Sequence, residues 1–231
     1  MTSQAITALA DMLSPHVPLG KTRLETLCLL IIGVISARTV NLSHVACERS
    51  GEVLIASTYR RLQRFFQHVA LGEDWSAGLV IRLLGLSGPW NLCLDRTNWK
   101  IGGRDVNILM LAVATRRFRV PLMWTVLDKA GNSNTQERVA LMQRYLALFG
   151  AESVRLLLAD REFIGLKWLN FLNRKNIPFA IRVKARLRVE TEDGRRLNLS
   201  SLLRKYRGAR KFYATFPGQG DVAALTLTFA A

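Results

Sequence analysis

Apolar positions along the first 88 residues recur at helical intervals. Residues 2–13 read as a short helix, broken by Pro15 and Pro18. Residues 21–37 predict a strongly apolar helix suited to burial, and residues 40–50 a short one starting near Asn41. Over residues 57–70 the spacing predicts a helix with Ser57 or Thr58 as N-cap. Its Leu62, Phe65, Phe66 and Val69 share a face, with Arg60, Arg61 and Arg64 largely off it. Residues 74–85 give one more helix before Ser87-Gly88-Pro89.

After Pro89 the period shortens. Residues 91–97 predict a strand and Gly102-Gly103 a turn. Residues 106–115 predict a deeply apolar second strand, and 119–127 a third with an irregularity at Pro121. Residues 133–149 form an amphipathic helix, 154–159 a strand, 164–175 a helix and 178–183 a strand. Three strands joined by short turns make an antiparallel meander. The strand–helix–strand that follows makes a right-handed parallel crossover. The expected fold is therefore α/β, a mixed sheet flanked by helices. The expected division is a helical region at 1–88, the sheet domain at 89–183, and a strand-rich basic segment with a tail at 184–231.

Charge changes the picture. Formal net charge is +16, and it is uneven: +2 over residues 1–90, +4 over 91–160 and +10 over 161–231. Such an excess is self-repelling and adds nothing to folding. A polyanion is the expected partner, nucleic acid first and an anionic membrane second. The most apolar run, Leu27 to Ile35, is too short to cross a bilayer, which disfavours the membrane. Cys28, Cys47 and Cys93 fit no zinc spacing, and Cys28 and Cys93 sit in apolar runs where a thiol is a small hydrophobe. A reducing cytoplasm, in association with the nucleoid, is the expected setting. His16, His44 and His68 show no ligand spacing.

Two aspartates stand out by position. Asp95 ends the apolar strand Leu92-Cys93-Leu94, and Asp160 ends Leu156-Leu157-Leu158-Ala159. A carboxylate at the end of a buried strand is costly without a cationic partner. Two on neighbouring strands aim at one point and make a hard-cation site for Mg²⁺ or Mn²⁺. Such a cation pair activates water and stabilises a leaving oxygen in phosphodiester cleavage. The structural alternative is that each aspartate caps a turn or helix, which for Asp160 the following helix allows. Arg182, Lys184, Arg186 and Arg188 have period-two spacing and would share one strand face for phosphate contact, extended by Lys205, Arg207, Arg210 and Lys211. Arg60, Arg61 and Arg64 form a second candidate DNA-binding group. Trp99 and Trp124 are expected in the core rather than stacked on bases.

The segment Leu92 to Asn98, with Asp95-Arg96-Thr97, and the segment Ala159 to Ile164, reading ADREFI, resemble insertion-sequence transposases of the DDE superfamily. More narrowly they resemble the insertion-sequence-four group, over roughly residues 20–215. The group's first motif maps onto Asp95 and Thr97, its second onto Asp160. The resemblance implies a ribonuclease-H-like fold with divalent ions held by two aspartates and a glutamate. It implies DNA strand cleavage and transfer on the terminal inverted repeats of duplex DNA, by a homodimer in a synaptic complex. The third acid of the group lies in a Tyr-x2-Arg-x3-Glu-x6-Lys pattern beyond a strand-rich insertion, and no such pattern follows Asp160 here. Residues 178–231 read as the start of that insertion, with a hairpin at Asp193-Gly194. The tail after Pro217 shifts in composition as a frameshift or premature stop would produce. Glu162 would share the Asp160 site if the strand ran that far, but reads as lying on the turn or helix start, and Glu190, Glu192 and Asp193 read as solvated. Two further readings stand beside a transposase: a non-catalytic DNA-binding fragment or regulator, and a ribonuclease-H-like nuclease.

Overall fold

Four helices build the N-terminal part of the computed structural model: α1 (Ser3–Leu13), α2 (Lys21–Ala37), α3 (Leu42–Cys47) and α4 (Ile55–His68). The structure describes residues 3–49, 53–184, 186, 188–191, 194–204, 211–215 and 225–228, of which 3, 189–191, 202–203, 211–215 and 225–228 by backbone alone. The chain divides into two units, Met1–Trp75 and Ser76–Ala231.

In the first unit, Leu29, Val45, Ala46 and Leu62 form the centre of a small core. Gly33 of α2 sits against α3 so closely that a Cβ there would lie 2.6 Å from Val45 Cγ1. α2 is buried at Leu24, Leu27, Cys28, Leu29 and Gly33, with Leu30 and Val34 packed on the same core, while Ile35 at the end of the apolar run is exposed. The Asn41 side chain caps α3 by accepting from the Ser43 N–H. α4 starts at Ile55, ahead of the expected Ser57 or Thr58, with Leu54 in the cap position offering no side-chain acceptor. Thr58 is instead buried along with Leu62 and Phe65, while Phe66 is exposed.

The second unit opens with α5 (Ala77–Leu83) and continues as β1 (Trp90–Ile101), β2 (Arg104–Ala114), β3 (Arg119–Leu127), α6 (Thr135–Phe149), β4 (Val154–Ala159), α7 (Leu166–Arg174) and β5 (Phe179–Ile181). The sheet order is β3-β2-β1-β4-β5. β1–β2 and β2–β3 are antiparallel, β1–β4 and β4–β5 parallel. The β1–β2 hairpin runs further than expected, to Ile101, and turns through Gly102 and Gly103, both at positive φ, where glycine avoids the Cβ penalty. A register irregularity falls between Leu111 and Ala112, opposite Pro121, as expected for proline in a strand. α6 is closed by a capping box between Asn134 and Glu137.

Leu92 and Leu94 of β1, Leu109, Leu111 and Val113 of β2, and Leu157 of β4 form one core with Leu141, Met142 and Tyr145 of α6 and Trp168, Leu169 and Leu172 of α7. The helices thus cover the face that carries the even-numbered residues of β1. The opposite face carries Cys93, Asp95, Thr97 and Trp99. Trp99 (57% exposed) and Trp124 (41%) are not core residues, contrary to expectation. Both project from this second face, where Asp95, Met110 and Trp124 stand in one row across three strands.

Beyond β5, the strands β6 (Arg188–Thr191), β7 (Arg196–Asn198), β8 (Lys211–Thr215) and β9 (Leu225–Thr228), with α8 (Leu199–Leu203), belong to a separate sheet of order β7-β6-β8-β9. The expected hairpin lies between β6 and β7, with Gly194 at positive φ. Among the described residues, 182–184 and 186 lie outside any strand, so Arg182, Lys184 and Arg186 do not share the expected strand face with Arg188. β5 ends at Ile181 because β4, its pairing partner, ends at Ala159, and the last backbone link runs from Arg182 N–H to Ala159 O.

Candidate active site

The parallel register of β1 and β4 decides where the two aspartates go. Leu92 pairs with Leu157, Cys93 with Leu158 and Leu94 with Ala159. The next residue on each chain is Asp95 and Asp160. Equivalent positions on register-matched parallel strands present their side chains to the same face. Carried one residue past the last paired rung, that register turns both carboxylates toward the face α6 and α7 do not cover, and both aspartates are exposed. Asp160 sits at the N-cap position of a short 3-10 turn, Arg161–Phe163, but its side chain caps nothing. The capping alternative thus fails for Asp160. Its Oδ1 lies 3.6 Å from Arg182 Nη1, both side chains largely in solvent, so this pair is loose. Asp95 Oδ1 accepts the Arg96 N–H at 2.8 Å.

On the helix-covered face stands a polar cluster that sequence reasoning did not assemble. Arg96 donates from Nε and Nη2 to the two carboxylate oxygens of Glu162, at 3.1 and 3.2 Å. It also donates to Asn107 Oδ1 and Asn132 Oδ1. Asn107, fully buried, donates to the carbonyls of Lys129 and Gly131, at 3.1 and 2.7 Å. Arg138 of α6 is buried too. It donates to Ser133 Oγ, to the Ser133 carbonyl and to the Glu162 carbonyl, and lies over the Phe163 ring. Burial pushes the Arg138 guanidinium below its ordinary value, opposed by the charges of Glu162 and Glu137. Glu162 is thereby engaged by Arg96, not free beside the aspartates.

Arg119 lies on the Asp95 side, donating from Nε to Cys93 Sγ at 3.3 Å. That bond chiefly, and the Asp95 charge to a lesser degree, hold its guanidinium above its usual value. Thr97 Oγ1 is buried with no hydrogen-bond partner, on the same face as Asp95 and two residues further along β1. Among the described residues no group of three or more His, Cys, Asp or Glu side chains is placed to hold a metal. Two exposed carboxylates nonetheless suit Mg²⁺, which often takes one or two protein carboxylates and keeps water elsewhere. The donor set fits a hard cation and not a soft one.

Of the basic candidates, Arg182, Lys184, Arg186 and Arg188 are exposed. Lys205, Arg207 and Arg210 lie outside the described residues, as does the side chain of Lys211. Glu192, Asp193 and the segment after Pro217 up to β9 lie outside them as well. On α4, Arg60 and Arg64 are exposed, but Arg61 turns inward. It donates to Thr26 Oγ1 (2.7 Å) and the Thr22 carbonyl (2.8 Å) and pairs with Glu25 (3.5 Å). No helix among the described residues is long and apolar enough to cross a membrane.

A mixed sheet of order β3-β2-β1-β4-β5 flanked by helices, with two antiparallel pairings followed by two parallel ones, defines an α/β chain of ribonuclease-H-like architecture. The family model described as "Transposase DDE domain" matches residues 86–217, more than half of the chain. The chain belongs to that family. Among solved structures it is similar to a chain of the simian T-cell lymphotropic virus intasome, in a cryoEM structure with the PP2A regulatory subunit B56 gamma. The identity is 10% and the TM-score 0.35, over 55% of this chain and 43% of that one. It therefore spans less than half the length of that relative. No curated protein matches the chain.

Proposed function

We propose that this chain is an insertion-sequence transposase of the insertion-sequence-four type, in which Asp95 and Asp160 bind Mg²⁺ or Mn²⁺ at the DNA strand to be cut. The observation that supports the reading is the β1–β4 register, whose last rung, Leu94 with Ala159, directly precedes the exposed Asp95 and Asp160. A bound divalent cation supplies activation of the attacking oxygen and neutralises charge on the phosphate. The chain's own groups do the rest. Asp95, with one oxygen tied to the Arg96 N–H, keeps its other oxygen for binding. Arg182 exchanges its loose contact with Asp160 for a DNA phosphate. Exposed Lys184, Arg186 and Arg188, joined by Lys205, Arg207, Arg210 and Lys211, follow the backbone of duplex terminal repeats. Arg60 and Arg64 of α4 supply a second DNA contact, and two copies pair the transposon ends. The cytoplasmic nucleoid is the setting.

A second reading is favoured by one observation. Among the described residues no group of three acids is placed to hold a metal, and Glu162, two residues after Asp160, is engaged by Arg96. A chain that binds transposon ends without cutting them would act as a regulator that competes with active transposase. Cleavage assays on terminal-repeat duplex with Mg²⁺ or Mn²⁺ separate the two. Metal-dependent nicking that Asp95→Asn and Asp160→Asn each abolish supports the enzyme. Tight, steeply salt-dependent binding with no nicking by wild type leaves the regulator. Preferential cutting of an RNA–DNA hybrid would refute both.

A further inference from the structure

Resting on the reading of Asp95 and Asp160 as the metal-binding pair, we infer that Arg96 and Glu162 are positioning residues. From the opposite face of the sheet they set the spacing and aim of the two aspartates, and Glu162 is not itself a ligand.

Arg96 follows Asp95 directly, so in an extended strand its side chain points away from the Asp95 face. Glu162 follows Asp160 by two residues, on the 3-10 turn that leaves β4. The β1–β4 pairing ends at Leu94 and Ala159, one residue short of each aspartate. Past that rung β1 stays paired to β2 as far as Ile101, while the chain leaving β4 has no further backbone pairing to β1. Among the described residues they are rejoined by the two-point contact from Arg96 Nε and Nη2 to both Glu162 oxygens, at 3.1 and 3.2 Å. A planar guanidinium meeting a carboxylate at two points fixes direction as well as distance.

Both partners are anchored in turn. Only 15% of the Arg96 side chain and 25% of the Glu162 side chain are exposed. Asn107 of β2 and Asn132 of the loop before α6 accept further Arg96 N–H groups. Arg138 of α6 donates to the Glu162 carbonyl from a buried position. The exit of β4 is therefore held by one arginine from β1 and another from α6. Both Glu162 oxygens are used by Arg96 on the helix-covered side, which removes them from the face where Asp95 and Asp160 emerge. Metal sites depend on such outer contacts, whose loss typically weakens metal affinity about 10–100-fold. Lysine offers a point charge and cannot reproduce the two-point geometry.

The test is Mn²⁺ titration of the full chain, with free Mn²⁺ read by electron paramagnetic resonance, beside urea unfolding of each variant. Asp95→Asn should abolish saturable binding. Glu162→Gln and Arg96→Lys should each weaken it about 10–100-fold while the protein stays folded. The double variant should be no weaker than the worse single one, because the two act as one unit. A purely structural pair would lower the unfolding midpoint and leave the Mn²⁺ affinity of the folded protein unchanged. That outcome, with Glu162→Gln binding within about twofold of wild type, overturns the inference. So does abolition of binding by Glu162→Gln with Arg96→Lys unaffected, which would make Glu162 a ligand. Should Glu162→Gln fail to fold, Arg96→Lys, which keeps the charge, carries the same comparison. Mn²⁺ binding that survives Asp95→Asn sinks the parent reading and this inference together. Loss at Asp95→Asn with no change at either positioning residue sinks this inference alone.

Discussion

Replacing Asn107 with alanine should destabilise the sheet unit far more than the same change at Asn98, its partner directly across the β1–β2 ladder. Asn107 is fully buried and Asn98 exposed. The Asn107 amide donates to the carbonyls of Lys129 and Gly131 and accepts from Arg96 Nη1. It thereby pins the loop between β3 and α6 onto β2. Three hydrogen bonds at about 1 kcal/mol each give a loss of about 3 kcal/mol, and a carbonyl left buried without a donor pushes it higher. For a chain of this size that corresponds to a melting temperature lower by roughly 6–12 °C. Asn98→Ala, at an exposed position, should stay within about 0.5 kcal/mol of wild type. Urea unfolding followed by tryptophan fluorescence measures both. A loss below about 1 kcal/mol for Asn107→Ala, or equal losses for the two variants, would refute the view that this amide holds the loop.

Other consequences follow from single contacts. Gly33→Ala puts a methyl group 2.6 Å from the stiff, buried Val45 side chain, and should cost the helical unit about 1–3 kcal/mol in urea unfolding even though alanine favours the helix. Burial, the largest single influence, raises the Glu137 carboxyl, but its bond to Lys129, the Asn134 N–H and the charges of Lys129 and Arg138 together hold it below its ordinary value. A lowered folded value means that its stabilisation is present above the ordinary carboxylate range and lost as pH falls through the folded value. Glu137→Gln should therefore flatten that part of the acid unfolding profile. Arg182→Ala should leave stability within about 0.5 kcal/mol, since its contact with Asp160 is exposed, yet reduce the slope of log affinity for DNA against log salt by about one.

Much of the sheet unit was readable because apolar runs ended in recognisable punctuation. The apolar runs before Asp95 and Asp160 marked the two strand segments that pair in parallel, a crossover that the strand–helix–strand order foretold. Gly102-Gly103 marked the hairpin. What stayed hidden depended on partners remote in sequence. Arg96 and Glu162 are 66 positions apart, and nothing local shows that a guanidinium beside one aspartate will meet the carboxylate after the other. Arg61 resembled its neighbours Arg60 and Arg64, but Thr26, 35 positions away, turns it inward. The run Arg182 to Arg188 alternates like a strand, yet strand length is set by the partner, and β4 stops at Ala159. Trp99 and Trp124 carry core-type side chains, but residue type does not reveal which sheet face the helices cover.

The most direct measurement is the number of saturable Mn²⁺ sites on the wild-type chain and on Asp95→Asn and Asp160→Asn, counted by electron paramagnetic resonance at fixed ionic strength. Saturable binding by wild type, lost in each variant with the fold intact by circular dichroism, is the expected result. Binding that is absent from wild type, or unchanged when either aspartate is neutralised, would contradict the assignment of these two carboxylates to a shared cation site.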